Sequence, residues 1–281
     1  MEVTKKIVGL REWLAQNRGA SLGLVPTMGF LHQGHLALVK AAKAQNERVA
    51  VSIFVNPLQF NSPEDFENYP INIEEDLRLL AEAGVDLVFT PPPEEIYPKG
   101  FDAQLRIGAI TKPLEGSARP GHFDGVTTVV AKFFNLFTPD RAYFGEKDAQ
   151  QLLVIKKMAQ DMNYGVQVIG CPTVREPGGL ALSSRNSRLK ESQKEEALLI
   201  WQALQLGKQK IAEGLSNSAQ LIELMSEVVL SGASAAVDYI SINDTQTLEP
   251  VEEITGEVLI SLAVFLGKVR LIDNITVPPK A

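Results

Sequence analysis

Apolar positions along the chain come in short unbroken runs, each followed by a stretch with helical spacing. "SLGLVPT" (21–27) leads to "HLALVKAAKAQ" (35–45), "RVAVSIFV" (48–55) through a polar loop to "EEDLRLLAEAG" (74–84), and "VDLVFTP" (85–91) to a proline cluster. A run that is apolar at every residue suits a strand buried on both faces, and the helical stretch between two runs is the crossover that parallel strands require. The same grammar returns as helix, strand, turn and helix in "GVTTVVAKFFNLFTPDRAYFGEKDAQQLLVIKKMAQDMN" (125–163), and "GVQVIGCPTVRE" (165–176) adds another strand. The pattern predicts an α/β domain, a parallel sheet with helices on both faces.

The texture changes at "REPGGLALSSRNSRL" (175–189), rich in glycine and serine. Two helix-like segments follow, about 190–212 and 218–230, and then the β-rich runs "AAVDYISI", "EVLISLAVFL" and "KVRLIDNI". The expected division is a larger domain over residues 1–180 and a smaller C-terminal α+β domain over 181–281. No repeat of about 20 to 50 residues and no low-complexity segment interrupts this order.

Composition narrows the class. With 281 residues, 45% apolar and 22% charged, the chain reads as a globular protein with a sizeable core. A net charge of -7 and a pI near 5.2 argue against a nucleic-acid or anionic-membrane partner, while leaving room for a basic pocket that takes a small anion. The amino terminus lacks the pattern of a secretory signal, and no apolar stretch approaches the roughly 18 residues of a membrane span. Cys171 is the single cysteine, which excludes an intrachain disulfide and a thiolate zinc cluster and makes a cytoplasmic setting the expectation.

The chemistry concentrates first in "VPTMGFLHQGHLALVKAA" (25–42). Pro26 and Gly29 punctuate the end of a strand, and Gly34 allows close approach just before a helix. Such a junction offers unpaired backbone N–H groups and the positive end of a helix dipole to an anion. His32 and His35 could donate hydrogen bonds to phosphate oxygens there; helix-cap residues and a metal pair are the competing readings, the last weakened because His122 is the only other histidine.

Three further stretches carry candidate chemistry. In "FVNPLQF", Asn56 and Gln59 offer amides that suit a hydroxy acid, with Phe54 and Phe60 able to exclude water; an aromatic-packed loop would look similar. In "FGEKDAQQ", Lys147 is placed to face a phosphate, Asp148 to cap the helix or meet a ribose, and Gln151 to lie one turn on from Lys147; a solvated helix start is the alternative. In "LALSSRN", Ser183, Ser184 and Arg185 suit a triphosphate in a closing loop, or form an ordinary linker.

"HQGH" is the HxGH signature of the nucleotidylyltransferase superfamily. With "PTMGFLHQGH", "VSIFVNPLQF", "EGSARPGHFDGVTTVVAKFFNLFTPDRAYFGEKDAQQL" and "GLALSSRN" in this order, the chain resembles the pantoate–β-alanine ligase (pantothenate synthetase) family through about Leu189, and more loosely to the end. The resemblance implies a Rossmann-like fold with a C-terminal lid domain, a homodimer, and an ATP- and magnesium-dependent condensation of pantoate with β-alanine by way of pantoyl adenylate. It implies an ATP site at Met28, Gly29, Phe30, Leu31, His32, Gln33, Gly34 and His35, at Gly145, Glu146, Lys147 and Asp148, at Val174, and at Leu182, Ser183, Ser184 and Arg185. His35 becomes the proton donor, His32 a phosphate stabiliser, and Lys147 and Arg185 the cations that face the phosphates. Gln59 and Gln151 would hold pantoate, with Asn56 beside them, and Glu75 and Asp76 stand at the acidic positions linked to magnesium. One departure is visible: after "NYP" the family often has arginine and threonine, whereas this chain has Ile71 and Asn72. A related nucleotidyltransferase with another acceptor and a non-catalytic nucleotide-binding module are the other readings; intact His32, His35, Lys147 and Arg185 speak against the module.

Overall fold

Each strand of the larger sheet sends alternate residues to opposite faces, and both faces are covered, which is why the sequence shows unbroken apolar runs. The computed structural model describes residues 1–279. Six parallel strands, β1 (Glu2–Thr4), β2 (Leu22–Thr27), β3 (Arg48–Ile53), β4 (Leu87–Phe89), β5 (Arg141–Gly145) and β6 (Gln167–Cys171), lie in the order β1-β4-β3-β2-β5-β6. Leu22, Leu24, Ala50, Leu87, Phe89, Ala142 and Phe144 pack one face, together with Leu10, Trp13, Phe133, Phe134, Phe137 and Ile155 from the helices Ile7–Gln16, His122–Phe137 and Ala149–Asp161. Val25, Val49, Val51, Ile53, Val88 and Tyr143 pack the other, against Leu38, Val39 and Leu80 of the helices Gln33–Gln45 and Ile73–Glu82. The expected α/β parallel sheet with helices on both faces is what the chain forms.

Strand β1 and the helix after it went unread in the sequence. At three residues, with Glu2 and Val3 exposed, β1 is a short edge strand with no apolar run to mark it.

The C-terminal part is α+β. The antiparallel strands β7 (Ala235–Asp244), β8 (Val258–Leu266) and β9 (Val269–Val277) follow the helices Glu191–Glu213 and Ser218–Leu230. Ala197, Ile200, Ala203, Leu204 and Ile211 form the buried stripe of the first helix at i, i+3 and i+4 spacing and pack with Ile260, Leu262 and Val264 of the central strand. By packing, the chain divides into one unit of residues 1–146 and 150–172 and a second that takes 147–149 and the chain from Thr173 onward. No helix among the described residues is long and apolar enough to cross a membrane.

Candidate active site

The strand order reverses between β2 and β5: from β2 the chain winds outward through β3 and β4, from β5 through β6. Ligands in open α/β sheets gather at the carboxyl ends of strands at such a switch point. Here β2 and β5 pair only at Gly23 with Arg141 and Leu24 with Ala142, so Val25–Thr27 and the end of β5 are not joined by ladder bonds. Met28–His35 leaves the open end of β2, while Gly145 ends β5 and Glu146 follows it.

Gly29 and Phe30 both adopt left-handed backbone, with φ of 83° and 52°, a costly state for phenylalanine. The turn is held by Asp76, buried at 1% exposure: its Oδ2 accepts the Phe30 N–H at 2.9 Å and its Oδ1 the Leu31 N–H at 2.7 Å. The next residue, His32, caps the helix Gln33–Gln45. Its Nδ1 accepts the Gly34 N–H at 3.1 Å, and His35 Nδ1 accepts the His32 N–H at 3.3 Å. Two imidazoles thus form a reciprocal capping box, with ring centroids 4.1 Å apart. An Nδ1 that accepts carries no proton, so in each neutral ring the proton sits on Nε2, a donor suited to a phosphate oxygen. The cap engages Nδ1 of each ring, so it does not use the Nε2 atoms that the phosphate reading requires.

Asn56 ends the extended chain beyond β3 and caps the 3-10 turn Pro57–Gln59. Its Nδ2 donates to Gln59 Oε1 and to the Gly125 carbonyl, both at 3.0 Å; its Oδ1 accepts from the Leu58 N–H at 3.3 Å and the Tyr97 hydroxyl at 2.8 Å. Both donors and both lone pairs of Asn56 are thus engaged within the protein, directly beside Gln59. Gln59 Nε2 rests against Met28 Sδ at 3.1 Å, and a thioether is a weak acceptor that a ligand oxygen readily replaces. Tyr97 was missed in the sequence; burial pushes its phenol pKa well up, which keeps the hydroxyl a donor.

On the helix Ala149–Asp161, Gln151 is half-buried, whereas its neighbour Gln150 is buried: Oε1 accepts the Glu115 N–H at 3.0 Å and Nε2 donates to the carbonyls of Pro113 at 2.8 Å and Ile110 at 3.1 Å. One residue along a helix is a turn of about 100°, which separates the structural amide from the candidate one.

In the second unit, Lys147 is half-buried and its carbonyl accepts from Asn274 Nδ2 at 2.7 Å; Asp148 is exposed. Ser183 caps the 3-10 turn Ser184–Arg188 by accepting the Arg185 N–H at 3.2 Å. The Val174 carbonyl accepts from Leu182, and Arg175 and Ala181 pair as a short bridge, so 174–182 is a closed hairpin that presents Ser183–Arg185. Arg175 anchors it, forked onto Asp273 at 2.6 and 3.0 Å and stacked 3.8 Å over Trp201.

The acidic pair does not fit a magnesium site. Asp76 turns inward with both oxygens taken up by the Phe30–Leu31 turn, while exposed Glu75 pairs with Arg78 at 2.6 Å. Among the described residues no group of three or more potential ligands gathers to hold a metal ion. Asn72, at the position of the departure, caps the helix Ile73–Glu82 by accepting the Glu75 N–H at 3.3 Å, and Ile71 is 69% exposed.

Comparison with known proteins bears on this geometry. The family profile described as pantoate-beta-alanine ligase matches residues 2–276. The pantothenate synthetase of Moorella thermoacetica is 50% identical over 277 residues, 98% of each chain, and that of Caldicellulosiruptor bescii is 47% identical over the whole of both. Among solved structures, pantothenate synthetase from Thermus thermophilus superposes with a TM-score of 0.95 at 44% identity, covering 99% of this chain and 100% of that one. The Francisella tularensis pantoate-beta-alanine ligase, solved with beta-gamma ATP and beta-alanine, has a TM-score of 0.82 at 37% identity, with coverage of 98% and 97%.

Proposed function

The chain belongs to the pantoate-beta-alanine ligase family, and we propose from that premise how its residues divide the work of the ATP-dependent condensation of (R)-pantoate with β-alanine to pantothenate. The pantoate carboxylate attacks the α-phosphorus of ATP to give pantoyl adenylate and pyrophosphate. The β-alanine amine then attacks the acyl carbon, and AMP leaves with pantothenate.

ATP binds along Met28–His35, Gly145–Asp148, Val174 and Leu182–Arg185. His35 gives the proton from Nε2 to the phosphate side of the reaction, His32 neutralises charge through its own Nε2–H, and Lys147 and Arg185 supply fixed positive charge where the phosphates lie. Gln59 and Gln151 hold pantoate, with Gln59 also beside β-alanine, and orientation of the two reactants provides much of the rate. ATP itself would supply most of the ligands of a magnesium ion, whose charge would help to neutralise the phosphates. The lid role of the C-terminal domain, the homodimer and the cytoplasmic setting belong to the same proposal, supported by the family resemblance.

The observation that carries the reading is the reciprocal histidine cap at the carboxyl end of β2, which fixes two Nε2–H donors where an anion is expected. The deciding experiment supplies ATP, magnesium, pantoate and β-alanine: AMP and pyrophosphate should form in equal amounts, and pyrophosphate exchange into ATP should require pantoate. Exchange that proceeds with a different acceptor instead would favour a related nucleotidyltransferase.

A further inference from the structure

His122, the third histidine, has no part in the roles above. It opens the helix His122–Phe137 after Gly121, whose φ of 81° turns the chain, and it is buried at 7% exposure. Its Nδ1 lies 2.8 Å from the backbone carbonyl oxygen of Gln59, and its Nε2 lies 3.3 Å from an Arg119 guanidinium nitrogen. The other terminal nitrogen of Arg119 donates to the same Gln59 carbonyl at 3.3 Å. A carbonyl only accepts and a guanidinium only donates, so the ring must carry its proton on Nδ1 and its lone pair on Nε2. This is the opposite tautomer to that of His32 and His35.

The same helix presses on the turn from the other side. A Cβ at Gly125 would lie 2.3 Å from the Leu58 carbonyl oxygen and 2.6 Å from the Gln59 nitrogen, so the backbones touch with no side chain between them. The peptide groups on both sides of Gln59 Cα are therefore fixed: the nitrogen side by this contact and the carbonyl side by two donors. Those peptide planes set the direction in which the carboxamide leaves the backbone.

We infer that His122, with Arg119 behind it, is a positioning residue for Gln59, aiming the carboxamide that takes the hydroxy-acid substrate. The inference rests on the reading of Gln59 as a pantoate ligand, and the test separates the two. His122→Phe keeps the ring and removes the donor, His122→Asn restores an N–H near Nδ1, and Gln59→Leu removes the carboxamide itself. In pantoate-dependent pyrophosphate exchange, H122F should raise the KM for pantoate about tenfold and leave the KM for ATP within about twofold, as expected when one substrate's binding geometry is lost. H122N should recover most of that rise. A wild-type pantoate KM in H122F beside a raised one in Q59L overturns the inference alone, and so does an equal rise of both KM values. An unchanged pantoate KM in Q59L overturns the reading of Gln59 and the inference with it. If H122F does not fold, Arg119→Leu, which removes the partner of Nε2, must raise the pantoate KM by itself, and no rise overturns the inference.

Discussion

Asp76 and Leu31 are joined by a 2.7 Å hydrogen bond from the Leu31 N–H to a carboxylate buried at 1% exposure, and this bond fastens the turn that delivers the histidine pair. Burial pushes the Asp76 carboxyl pKa up, against the downward pull of the Leu31 and Phe30 N–H groups. A carboxyl raised in the folded state contributes stability that is fully present below its unfolded pKa and lost as pH rises through the folded one. Asp76→Asn has no such dependence. D76N should therefore gain stability relative to the wild type from about pH 4 upward, a change that melting at pH 4 and pH 7 measures directly. It should nevertheless slow adenylation by roughly a hundredfold, the scale of an ångström's misplacement of the histidines.

The two histidines separate in the same way. His32→Asn keeps a good helix cap and removes the imidazole donor, so its Tm should stay close to that of the wild type while pyrophosphate exchange falls by about 10² or more. His35→Ala should cost about 1 kcal/mol of stability through the lost cap and a comparable or larger factor in exchange. Loss of folding and activity in step, followed by circular dichroism and turnover on the same samples, would return both residues to a purely structural role.

Gly125→Ala tests the close approach of the helix to the Asn56–Gln59 turn. The added methyl meets backbone rather than a flexible side chain, so overpacking should cost about 1–3 kcal/mol and displace the turn. The pantoate KM should rise, the KM for ATP should not, and steady-state kinetics with each substrate varied will show which moves.

In the second unit, the Arg175–Asp273 fork anchors the hairpin that leads to the Ser183–Arg185 turn, with the Asp273 side chain only 2% exposed. Asp273→Ala leaves Arg175 without its carboxylate and should destabilise by about 3–5 kcal/mol. Arg175→Lys should recover little, since an ammonium can neither fork onto both oxygens nor stack over Trp201 as a planar guanidinium does. Denaturant unfolding of the three proteins decides it.

What the sequence revealed followed the range of the interactions. Strands β2 and β3 were readable because burial on both faces writes a continuous apolar run, and the histidine pair because cap, glycine and ring sit within four residues. Asp76 was not: its partners Phe30 and Leu31 lie more than forty positions earlier, and its neighbours Glu74 and Glu75 make it look like one more acid at a helix start. Asn56 and Gln59 were found as a pair, but the hydrogen bonds of Asn56 with Tyr97 and Gly125 are made by residues that only the fold brings to it. His122 lay within a quoted motif, yet its role depends on a carbonyl 63 residues away.

The reciprocal cap of His32 and His35 also bears on how this protein could be bred. Serine and glutamate would secure the same helix start at least as well as two imidazoles. A library selected only for survival at high temperature would thus drift toward ordinary caps at both positions and yield robust, inert protein. Screening for heat tolerance must be paired at every round with a measure of turnover.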